Sequence, residues 1–298
     1  MELELLLRKQ FGYSSFRTGQ KEVITSLLEG KDTLAMLPTG TGKSLCYQLP
    51  AYILDGTCII ISPLLSLMQD QMEQMKMRGE KRVIALNSFL SFEEKKRALS
   101  RLGQFRFVFM SPEMLSNQRV LHELSKIRLS LFVVDEAHCI SQWGHDFRPD
   151  YLKIGEAREL LNRPLTLALT ATATEEVRTD ITKYLHLQDA NQWIFSVDRA
   201  NIAMSVQHCE SYKEKLDSLL EIVKNVQKPG IIYFSSKKAA EETAYWLEQE
   251  GIKKVGVYHG GMEQDERILI QQQFLFNELE IICATSAFGM GINKNDIR

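Results

Sequence analysis

The chain has 298 residues, 44% of them hydrophobic and 25% charged, which is an ordinary globular composition and is long enough for two domains. Its 36 basic and 38 acidic residues give a formal net charge of −2, so nucleic acid would have to bind in local grooves and not to a global basic field. Apolar runs such as residues 58–61 are too short for a membrane span, and the acidic start at residues 1–5 predicts no export signal. Five cysteines without a C-x-x-C pair favour reduced thiols in a cytosol and argue against a disulfide frame or a zinc cluster.

Short apolar runs alternate with longer helical patterns through the first part of the chain. Met68, Met72 and Met75 recur at helical spacing and predict a helix whose methionines fill a core. Ser91 and Glu94 form a capping box that opens another helix. Strands and helices that alternate in this way predict a parallel sheet with helices on both faces. The predicted strands are residues 33–37, 57–61, 83–86, 105–110, 131–134 and 165–169.

The pattern pauses at residues 198–201 and then restarts, which predicts a domain boundary near residue 200. We therefore expect one domain at residues 1–200 and a second at residues 201–298. Within the second, a helix is predicted at residues 237–249, and Gly251 ends it in the C′ position. The predicted strands of the second domain are residues 231–234, 255–258 and 280–283.

A glycine-rich segment follows the first predicted strand and opens a helical pattern. Gly40 and Gly42 allow backbone N–H groups to turn toward a polyphosphate. Lys43 can reach the β- and γ-phosphates, and the Ser44 hydroxyl can coordinate Mg²⁺. The strict G-x-x-x-x-G-K-[ST] pattern has glycine where this chain has Leu37, and a turn that only caps a helix is the structural alternative. The candidate nucleotide-binding residues of this segment are Thr39, Gly40, Thr41, Gly42, Lys43 and Ser44.

Two carboxylates, Asp135 and Glu136, end the apolar run at residues 131–134. A buried parallel strand presents its carboxyl end to the ligand crevice, where a nucleotide would lie. Asp135 is then placed to hold Mg²⁺, and Glu136 is placed to orient and deprotonate the water that attacks the γ-phosphate. The structural alternative is a solvated loop start, but the glycine-rich segment on the same predicted sheet favours ATP and Mg²⁺ as ligands.

The segment Asp135-Glu136-Ala137-His138, taken with the glycine-rich segment, resembles the DExH group of superfamily-two helicases. Further segments resemble the RecQ family of DNA helicases. Residues 11–20 are similar to the N-terminal motif of that family, and residues 139–151 resemble an aromatic-rich loop that is peculiar to RecQ proteins. The other matching segments are residues 44–51, 61–71, 110–113, 169–173, 232–237, 258–262 and 284–293.

The resemblance implies an α/β fold with two RecA-like parallel-sheet lobes. It implies an ATP-dependent DNA helicase in which ATP hydrolysis drives 3′–5′ translocation on single-stranded DNA and unwinding of forked DNA, in repair and recombination. In the family, arginines that contact the γ-phosphate follow at positions past Arg298. We therefore expect the second lobe to be incomplete and hydrolysis by these residues alone to be weak. We also expect a bacterial cytosolic protein with no membrane contact.

The resemblance also assigns roles to single residues. Gln20 would read the adenine, with Arg17 beside it in the same motif. The residues implied in catalysis are Lys43, Asp135, Glu136 and His138, with Ser44 and Asp135 on the metal. The residues implied in DNA contact or in coupling are Ser62, Ser111, Trp143, His145, Phe147, Arg148, Thr170, Thr172, Ser235, His259, Thr285 and Ser286.

Simpler interpretations stay open for several of these residues. The aromatic side chains of residues 143–147 could form a small core beneath a long loop, and the serines and threonines could serve turns or caps. His259 could be an ordinary turn residue, and Thr170 and Thr172 could merely finish a strand. For the whole chain, the alternatives are a DExH translocase that moves on duplex DNA without separating it and a nucleotide-dependent clamp without turnover.

Overall fold

The architecture comes from a computed structural model that describes residues 3–63, 65–87, 90–143, 147–196, 202–289, 294 and 296–297. Two compact units divide the chain, at Met1–Asn201 and Ile202–Arg298. Within the described residues, no helix is both long enough and apolar enough to cross a membrane.

Among the described residues of the first unit, seven parallel strands form a single sheet. In chain order they are β1 (Thr33–Met36), β2 (Thr57–Ile61), β3 (Val83–Leu86), β4 (Phe107–Met110), β5 (Leu129–Val134), β6 (Thr166–Thr170) and β7 (Asn191–Ile194). Their spatial order is β3-β4-β2-β5-β6-β1-β7, and every neighbouring pair is parallel.

Both faces of this sheet are buried because successive side chains on a strand point to opposite faces. On β2, Ile59 and Ile61 pack into one core, while Cys58 and Ile60 pack into the other. This is why the central strands are apolar at almost every position and do not alternate with polar residues. The helices of the unit are α1 (Leu3–Phe11), α2 (Gln20–Leu28), α3 (Leu45–Ile53), α4 (Leu65–Met77), α5 (Phe92–Leu99), α6 (Gln118–Ser125), α7 (Ile154–Leu160) and α8 (Glu175–Tyr184). Helices α2 to α4 contribute to the core that holds Ile60, and α5 to α8 to the core that holds Ile59.

The carboxyl ends of five adjacent strands lie along one edge of the sheet. In spatial order, this edge carries Ser111 after β4, Ser62 after β2, Asp135 after β5, Thr170 at the end of β6 and Leu37 after β1. The parallel topology therefore gathers the predicted phosphate, acidic and strand-contacting segments on one side of the first unit.

The second unit has a smaller parallel sheet within its described residues. Its strands are β8 (Gly230–Tyr233), β9 (Val255–Tyr258) and β10 (Ile281–Ala284), in the order β8-β10-β9. Its helices are α9 (Tyr212–Asn225), α10 (Lys237–Gln249) and α11 (Gln264–Leu275). Buried residues of α10 such as Leu247 pack on one face, whereas Phe274 of α11 packs on the other beside Phe288, with ring centroids 5.7 Å apart.

The predicted α/β class with a parallel sheet is confirmed. The helix at residues 237–249 and the capping box of Ser91 and Glu94 are confirmed as well, and Met68 is fully buried in a core. The predicted strands lie within two residues of the observed bounds. Strand β7 was not predicted, because it is an edge strand in which half-buried and exposed residues alternate and no apolar run marks it.

A buried hydrogen-bond cluster closes the amino-terminal edge of the first sheet. Arg158 of α7, only 3% exposed, donates from Nη2 to Asp32, from Nε to Thr166 Oγ1 at 2.7 Å and from Nη1 to the His186 carbonyl oxygen at 3.0 Å. The other Asp32 oxygen accepts from the Thr166 backbone N–H at 2.8 Å. The cluster therefore ties the starts of β1 and β6 to α7 and to the loop after α8.

We expect Arg158→Ala to destabilise the first unit by about 3–5 kcal/mol, because it leaves the Asp32 charge without its buried partner. Lys126→Ala is the matched control, since Lys126 pairs with Glu123 at 2.8 Å on the surface and such pairs contribute under about 1 kcal/mol. The free energy of unfolding of both variants is measured by urea unfolding, and the local loss of stability is measured by hydrogen exchange of the amides in β1 and β6. Equal losses in the two variants would show that the cluster carries no special stability.

Candidate functional site

The glycine-rich segment forms a tight loop between β1 and α3. Gly40 and Gly42 have φ angles of +83° and +77°, a region that other residues rarely adopt, and the Thr41 hydroxyl donates to the Pro38 carbonyl oxygen at 2.7 Å. The first helical hydrogen bonds follow at once, and α3 begins immediately after Ser44. The loop therefore sits at a helix N-terminus, the geometry that favours an anionic ligand.

Leu37, the departure from the strict glycine-rich pattern, is a buried core residue. Its backbone N–H donates to the Thr170 carbonyl oxygen at 3.0 Å and so extends the contact between β1 and β6. A Cβ atom on Gly19, which has φ +84°, would lie 2.4 Å from the Leu37 side chain. Gly19 therefore lets the segment before α2 approach Leu37, and this close approach brings Gln20 to the loop.

Gln20 and Arg17 hold the loop from the side. The Gln20 Nε2 atom donates to the carbonyl oxygens of Thr41 at 2.8 Å and Gly42 at 3.1 Å, while its Oε1 atom accepts from the Arg17 backbone N–H at 2.9 Å. The Arg17 guanidinium donates to the Gly40 carbonyl oxygen. The residues predicted to read the base and those predicted to hold the phosphates are thus in direct contact.

A cavity of about 320 Å³ opens between these elements. Arg78, which follows α4, lines the cavity and also stacks over the Phe11 ring, with its guanidinium carbon 6.0 Å from the ring centroid. The size of the cavity, its mixed polar and aromatic lining and its contact with the phosphate loop are typical of a small-molecule site. The lining residues are Phe11, Gly12, Tyr13, Ser14, Ser15, Arg17, Gln20, Gly42, Ser44, Leu45, Gln48 and Arg78.

Asp135 lies at the end of β5 in an electrostatically costly position. The pKa of its carboxyl group is raised to about 7, because burial and then the Glu136 charge raise it more than the Lys43 ammonium of the phosphate loop lowers it. The Asp135 carboxylate accepts from the Glu136 backbone N–H at 3.0 Å, and its backbone carbonyl oxygen accepts from the buried Tyr151 hydroxyl at 2.9 Å. The acidic pair and Lys43 therefore share one electrostatic environment.

Glu136 has a left-handed backbone conformation, with φ +48° and ψ +45°. For a residue that is not glycine, asparagine or aspartate this is uncommon, and it costs roughly 1–3 kcal/mol where it is held in a folded structure. The side chain is 19% exposed, and its Oε2 atom lies 3.4 Å from His138 Nδ1. One of the strained backbone positions among the described residues is therefore that of the predicted catalytic carboxylate.

A hydrogen-bond chain connects His138 to the end of β6. His138 Nδ1 lies 3.0 Å from the Thr170 hydroxyl, and that hydroxyl donates to the Thr172 carbonyl oxygen at 2.9 Å. Because the Thr170 hydroxyl has a single proton, it accepts from His138, which therefore carries its proton on Nδ1. Thr170 and Thr172 do more than finish a strand, since they orient the histidine that contacts Glu136.

The first aromatic residue of the aromatic-rich loop, Trp143, is exposed. The Trp143 side chain is 81% exposed, which contradicts a small-core role for this residue. Its backbone N–H donates to the Ser141 hydroxyl at 3.2 Å, and that hydroxyl donates to the Asp180 carboxylate of α8 at 2.6 Å. The backbone of Trp143 is therefore held to α8 through Ser141, while its indole ring faces solvent.

The other end of this loop reaches back to β2. The Arg148 backbone N–H donates to the Cys139 carbonyl oxygen at 2.8 Å, and the Arg148 guanidinium donates to the Pro63 carbonyl oxygen at 3.0 Å. Phe147 is half-buried. His145, which was also predicted to contact DNA, lies outside the described residues. Arg148 thus connects the aromatic-rich loop to the segment after β2.

The predicted strand-contacting serines of the first unit differ in accessibility. Ser111 is half-buried at the end of β4. Ser62 is 2% exposed, and among the described residues its hydroxyl finds no hydrogen-bond partner. In this conformation the Ser62 side chain is not accessible to a DNA strand. Ser62 lies next to Asp135 along the sheet edge, because β2 and β5 are neighbours.

In the second unit, the predicted residues follow the ends of β8, β9 and β10. His259 is buried, accepts at Nδ1 from the Gly261 backbone N–H at 3.2 Å, and lies with Nε2 2.7 Å from Glu241 of α10. These contacts favour the structural role of a turn residue. Ser235 and Ser286 are exposed, and Thr285 is half-buried.

Sequence reasoning did not single out several residues that build the site. Tyr151 supports the Asp135 backbone, while Arg78 and Gln48 line the cavity beside Gln20. Tyr13 and Tyr151 lie within residues 11–20 and 139–151, the segments that resemble RecQ motifs, whereas Arg78 lies in no such segment. Among the described residues, no group of three or more histidine, cysteine, aspartate or glutamate side chains could hold a metal ion by itself. The oxygen donors of Ser44 and Asp135 suit Mg²⁺ that is also bound by phosphate oxygens.

Comparisons with known proteins identify the family to which the chain belongs. A family model described as DEAD/DEAH box helicase matches residues 17–180, and one described as helicase conserved C-terminal domain matches residues 214–298. The chain is 52% identical over 297 residues to the probable ATP-dependent DNA helicase RecS of Bacillus subtilis and covers 60% of that protein. It is 40% identical over 295 residues to the ATP-dependent DNA helicase RecQ of Pasteurella multocida and covers 46% of it. The two alignments span 100% and 98% of the present chain. Because they cover only 60% and 46% of the relatives, the chain spans less than two thirds of the length of either one.

A solved structure shows the same fold at low sequence identity. The helicase Lhr of Mycobacterium smegmatis, solved with ssDNA and AMP-PNP, superposes with a TM-score of 0.73 at 19% identity, over 98% of this chain and 42% of that one. At this identity the likeness concerns the fold alone. The family models and the relatives show that the chain belongs to the DEAD/DEAH box helicases and, within them, to the RecQ family.

Proposed function

We propose that the first unit binds ATP between the Gln20 motif and the phosphate loop. The observation that carries this proposal is the direct contact of Gln20 and Arg17 with the loop carbonyl oxygens, beside a cavity of about 320 Å³. The base would lie in the cavity, near Tyr13 and Arg78, and the phosphates would extend toward Lys43 at the start of α3. The names of the relatives, which are ATP-dependent helicases, support the same ligand.

Mg²⁺ would be held by the Ser44 hydroxyl and the Asp135 carboxylate together with phosphate oxygens. When bound, it would neutralise charge on the phosphates. The raised pKa of Asp135 supports this assignment, because a carboxylate that is costly to ionise in isolation gains most from a nearby cation. The Lys43 ammonium would supply a second positive charge to the phosphates.

Glu136 would orient the attacking water and accept its proton. His138 would keep that carboxylate in place through the 3.4 Å contact, and the hydroxyl of Thr170 would fix the histidine tautomer. The strained backbone of Glu136 supports the role, since such conformations gather at functional sites. Phosphoryl transfer depends chiefly on positioning and charge stabilisation, and these residues supply both.

We infer that the intact protein is a DNA helicase that uses this ATPase to move 3′–5′ along single-stranded DNA and to unwind forked duplexes in repair and recombination, in the bacterial cytosol. The two units, with a boundary near residue 200, would be its two RecA-like lobes. Exposed Trp143 and the guanidinium of Arg148 would contact unpaired bases, which aromatic faces bind without sequence preference. Arg148 would pass the presence of DNA to the segment after β2 through Pro63.

Lys43→Ala should weaken Mg·ATP binding by about 1.5–3 kcal/mol, roughly 10- to 150-fold, because charge-assisted hydrogen bonds to the phosphates are lost. Lys31→Ala, which removes an exposed lysine of the same unit, is the control. Titration with a fluorescent ATP analogue measures both. Unchanged affinity in Lys43→Ala would refute the phosphate-loop assignment.

Glu136→Gln should bind ATP like the parent but lose about 10²–10⁴-fold in single-turnover hydrolysis, because the amide cannot accept the proton of the attacking water. Unchanged hydrolysis in Glu136→Gln would exclude Glu136 as the base.

Asp135→Asn should stabilise the protein at pH 8 in the absence of divalent cations. The folded-state pKa of Asp135 is raised to about 7, so the folded protein holds a proton that the unfolded chain has released, and stability falls as pH rises from about 4 to 7. The amide removes this penalty and can keep the hydrogen bond from the Glu136 N–H. Thermal unfolding at pH 8 and at pH 4.5 in EDTA measures the difference, which should shrink at the lower pH. A variant no more stable than wild type at pH 8 would contradict the proposed environment of Asp135.

Trp143→Ala should weaken binding of an oligo-dT strand by roughly 1–3 kcal/mol, the usual contribution of one stacked base, while leaving ATP-analogue binding unchanged. Because the indole is 81% exposed, the variant should keep its circular dichroism spectrum. Phe92→Ala, which removes another exposed aromatic ring of the first unit, is the matched control. Loss of folded structure in Trp143→Ala would restore the small-core interpretation, and unchanged oligo-dT affinity would remove Trp143 from the strand path.

A further inference from the structure

Three arginines lie at the amino-terminal edge of the first sheet, opposite the phosphate loop. Arg82, Arg106 and Arg128 each stand one residue before a strand, namely β3, β4 and β5. The strand order is β3-β4-β2-β5, so the three residues span roughly 14 Å of one edge at the usual strand spacing of about 4.8 Å. Parallel topology therefore aligns side chains that are far apart in the sequence.

The backbone beneath these arginines is fixed. The Arg106 N–H donates to the Arg82 carbonyl oxygen at 2.8 Å, and the Thr57 N–H donates to the Arg128 carbonyl oxygen at 2.9 Å. Gly56, with φ +123°, allows the start of β2 to approach closely, because a Cβ atom there would lie 2.5 Å from the Arg128 carbonyl oxygen. The three side chains thus project from a rigid frame.

A cavity of about 330 Å³, called the arginine cavity here, opens at this edge. Three guanidinium groups and one carboxylate, that of Asp55, line it, so its lining carries a net positive charge. It is formed by different residues from the cavity beside Gln20. Its lining residues are Leu54, Asp55, Gly56, Arg82, Gly103, Gln104, Phe105, Arg106 and Arg128.

Arg106 is the anchored member of the three. Its guanidinium donates to the Ala51 carbonyl oxygen, lies 5.1 Å from the Tyr52 ring centroid and is 3.6 Å from the Glu80 carboxylate. The side chain is 20% exposed. Arg106 therefore supports the floor of the arginine cavity and contributes a positive charge from below.

Arg82 and Arg128 are the accessible members. Their side chains are 54% and 74% exposed, and their ion pairs, with Glu80 and Asp55, are both long at 3.4 Å. The pair of Arg128 and Asp55 joins two solvated side chains and contributes little stability. Glu80 is only 9% exposed and is shared with Arg106, so at 3.4 Å it leaves much of the Arg82 guanidinium in solvent. Both can turn toward an anion in the cavity, with Asp55, which is 87% exposed, able to move into solvent.

We propose that the arginine cavity binds phosphate groups, either of a free polyphosphate or of a nucleic-acid backbone, at a site separate from the phosphate loop. Guanidinium groups donate paired N–H bonds that match the oxygens of a phosphate, and such charge-assisted bonds are stronger than neutral ones. Two mobile arginines over a third, fixed one form a cluster that can bind several phosphates along the edge.

The nucleic-acid source is tested by salt titration of oligo-dT binding to the 298-residue chain. Neutralising two phosphate contacts in R82Q/R128Q should reduce the slope of log K against log salt by about 1.4 in magnitude. The control R101Q/R119Q removes the same charge from exposed arginines outside the cavity and should keep the slope. R82K/R128K, which keeps both charges, should retain most of it.

The free-phosphate source is tested by equilibrium dialysis of inorganic tripolyphosphate. R82Q/R128Q should bind one tripolyphosphate fewer per chain than wild type, whereas R101Q/R119Q should bind the same number. A change in the slope alone identifies a nucleic-acid ligand, a change in dialysis alone identifies a free polyphosphate, and either supports the site. If R82Q/R128Q and R101Q/R119Q behave alike in both measurements, the proposal is overturned. Near-UV circular dichroism verifies folding, and the single variant R128Q, which alters the more exposed arginine, replaces the double variant if that one unfolds.

Discussion

A parallel strand has a direction, and seven such strands side by side give the first unit a sheet with two chemically different edges. Every crossover returns the chain to the amino-terminal edge, so each segment that leaves a strand does so at the opposite, carboxyl edge. Leu37, Thr170, Asp135, Ser62 and Ser111 are separated by tens of residues in the sequence and still follow one another along this edge. The candidate ATP site exists because of this direction, and no single helix or loop could build it.

The same constraint requires that neighbouring strands keep their register, since a shift would separate the phosphate loop from the acidic pair. Two sets of contacts hold β1 against β6. At the amino ends, Arg158 and Asp32 bind the start of both strands, and at the carboxyl ends, the Leu37 N–H donates to Thr170. Thr170 in turn orients His138 beside Glu136. The ion pair between the buried Arg158 and the half-buried Asp32 at one edge thus secures the geometry on which the chemistry at the other edge would depend.

Much of the fold could be predicted from the sequence, because its periodicities are strong. Central strands buried on both faces read as unbroken apolar runs, and a serine and a glutamate three residues apart mark the start of α5. Strand β7 lacks such a run, since at the sheet edge half of its residues face solvent. Its existence depends on pairing with β1, a tertiary contact that local sequence does not encode.

The candidate site was predictable where chemistry is local and was not where it depends on packing. The glycines, Lys43, Asp135 and Glu136 belong to short motifs, so their placement could be anticipated. The burial of Ser62, the turn contacts of His259 and the position of Arg78 beside the cavity depend on neighbours from other elements. Motif matching assigns a residue type to a role, but only the packing shows whether its side chain is accessible.

The two edges differ in how they could recognise the same chemical group. At the carboxyl edge, glycines with positive φ angles let a backbone loop surround a ligand closely, next to a helix N-terminus and a lysine that also interacts with Asp135. Fixed dipoles in a partly buried site are weakly screened by salt, so shape decides what binds there. At the amino edge, Arg82 and Arg128 are long, solvated side chains whose attraction for an anion is screened over about 10 Å at 0.1 M salt.

The site at the carboxyl edge suits a nucleotide that must be positioned for chemistry, whereas the site at the amino edge suits a phosphate chain that only has to be retained. One sheet can offer both because its direction sends backbone loops with glycines to one edge and the residues that precede the strands to the other.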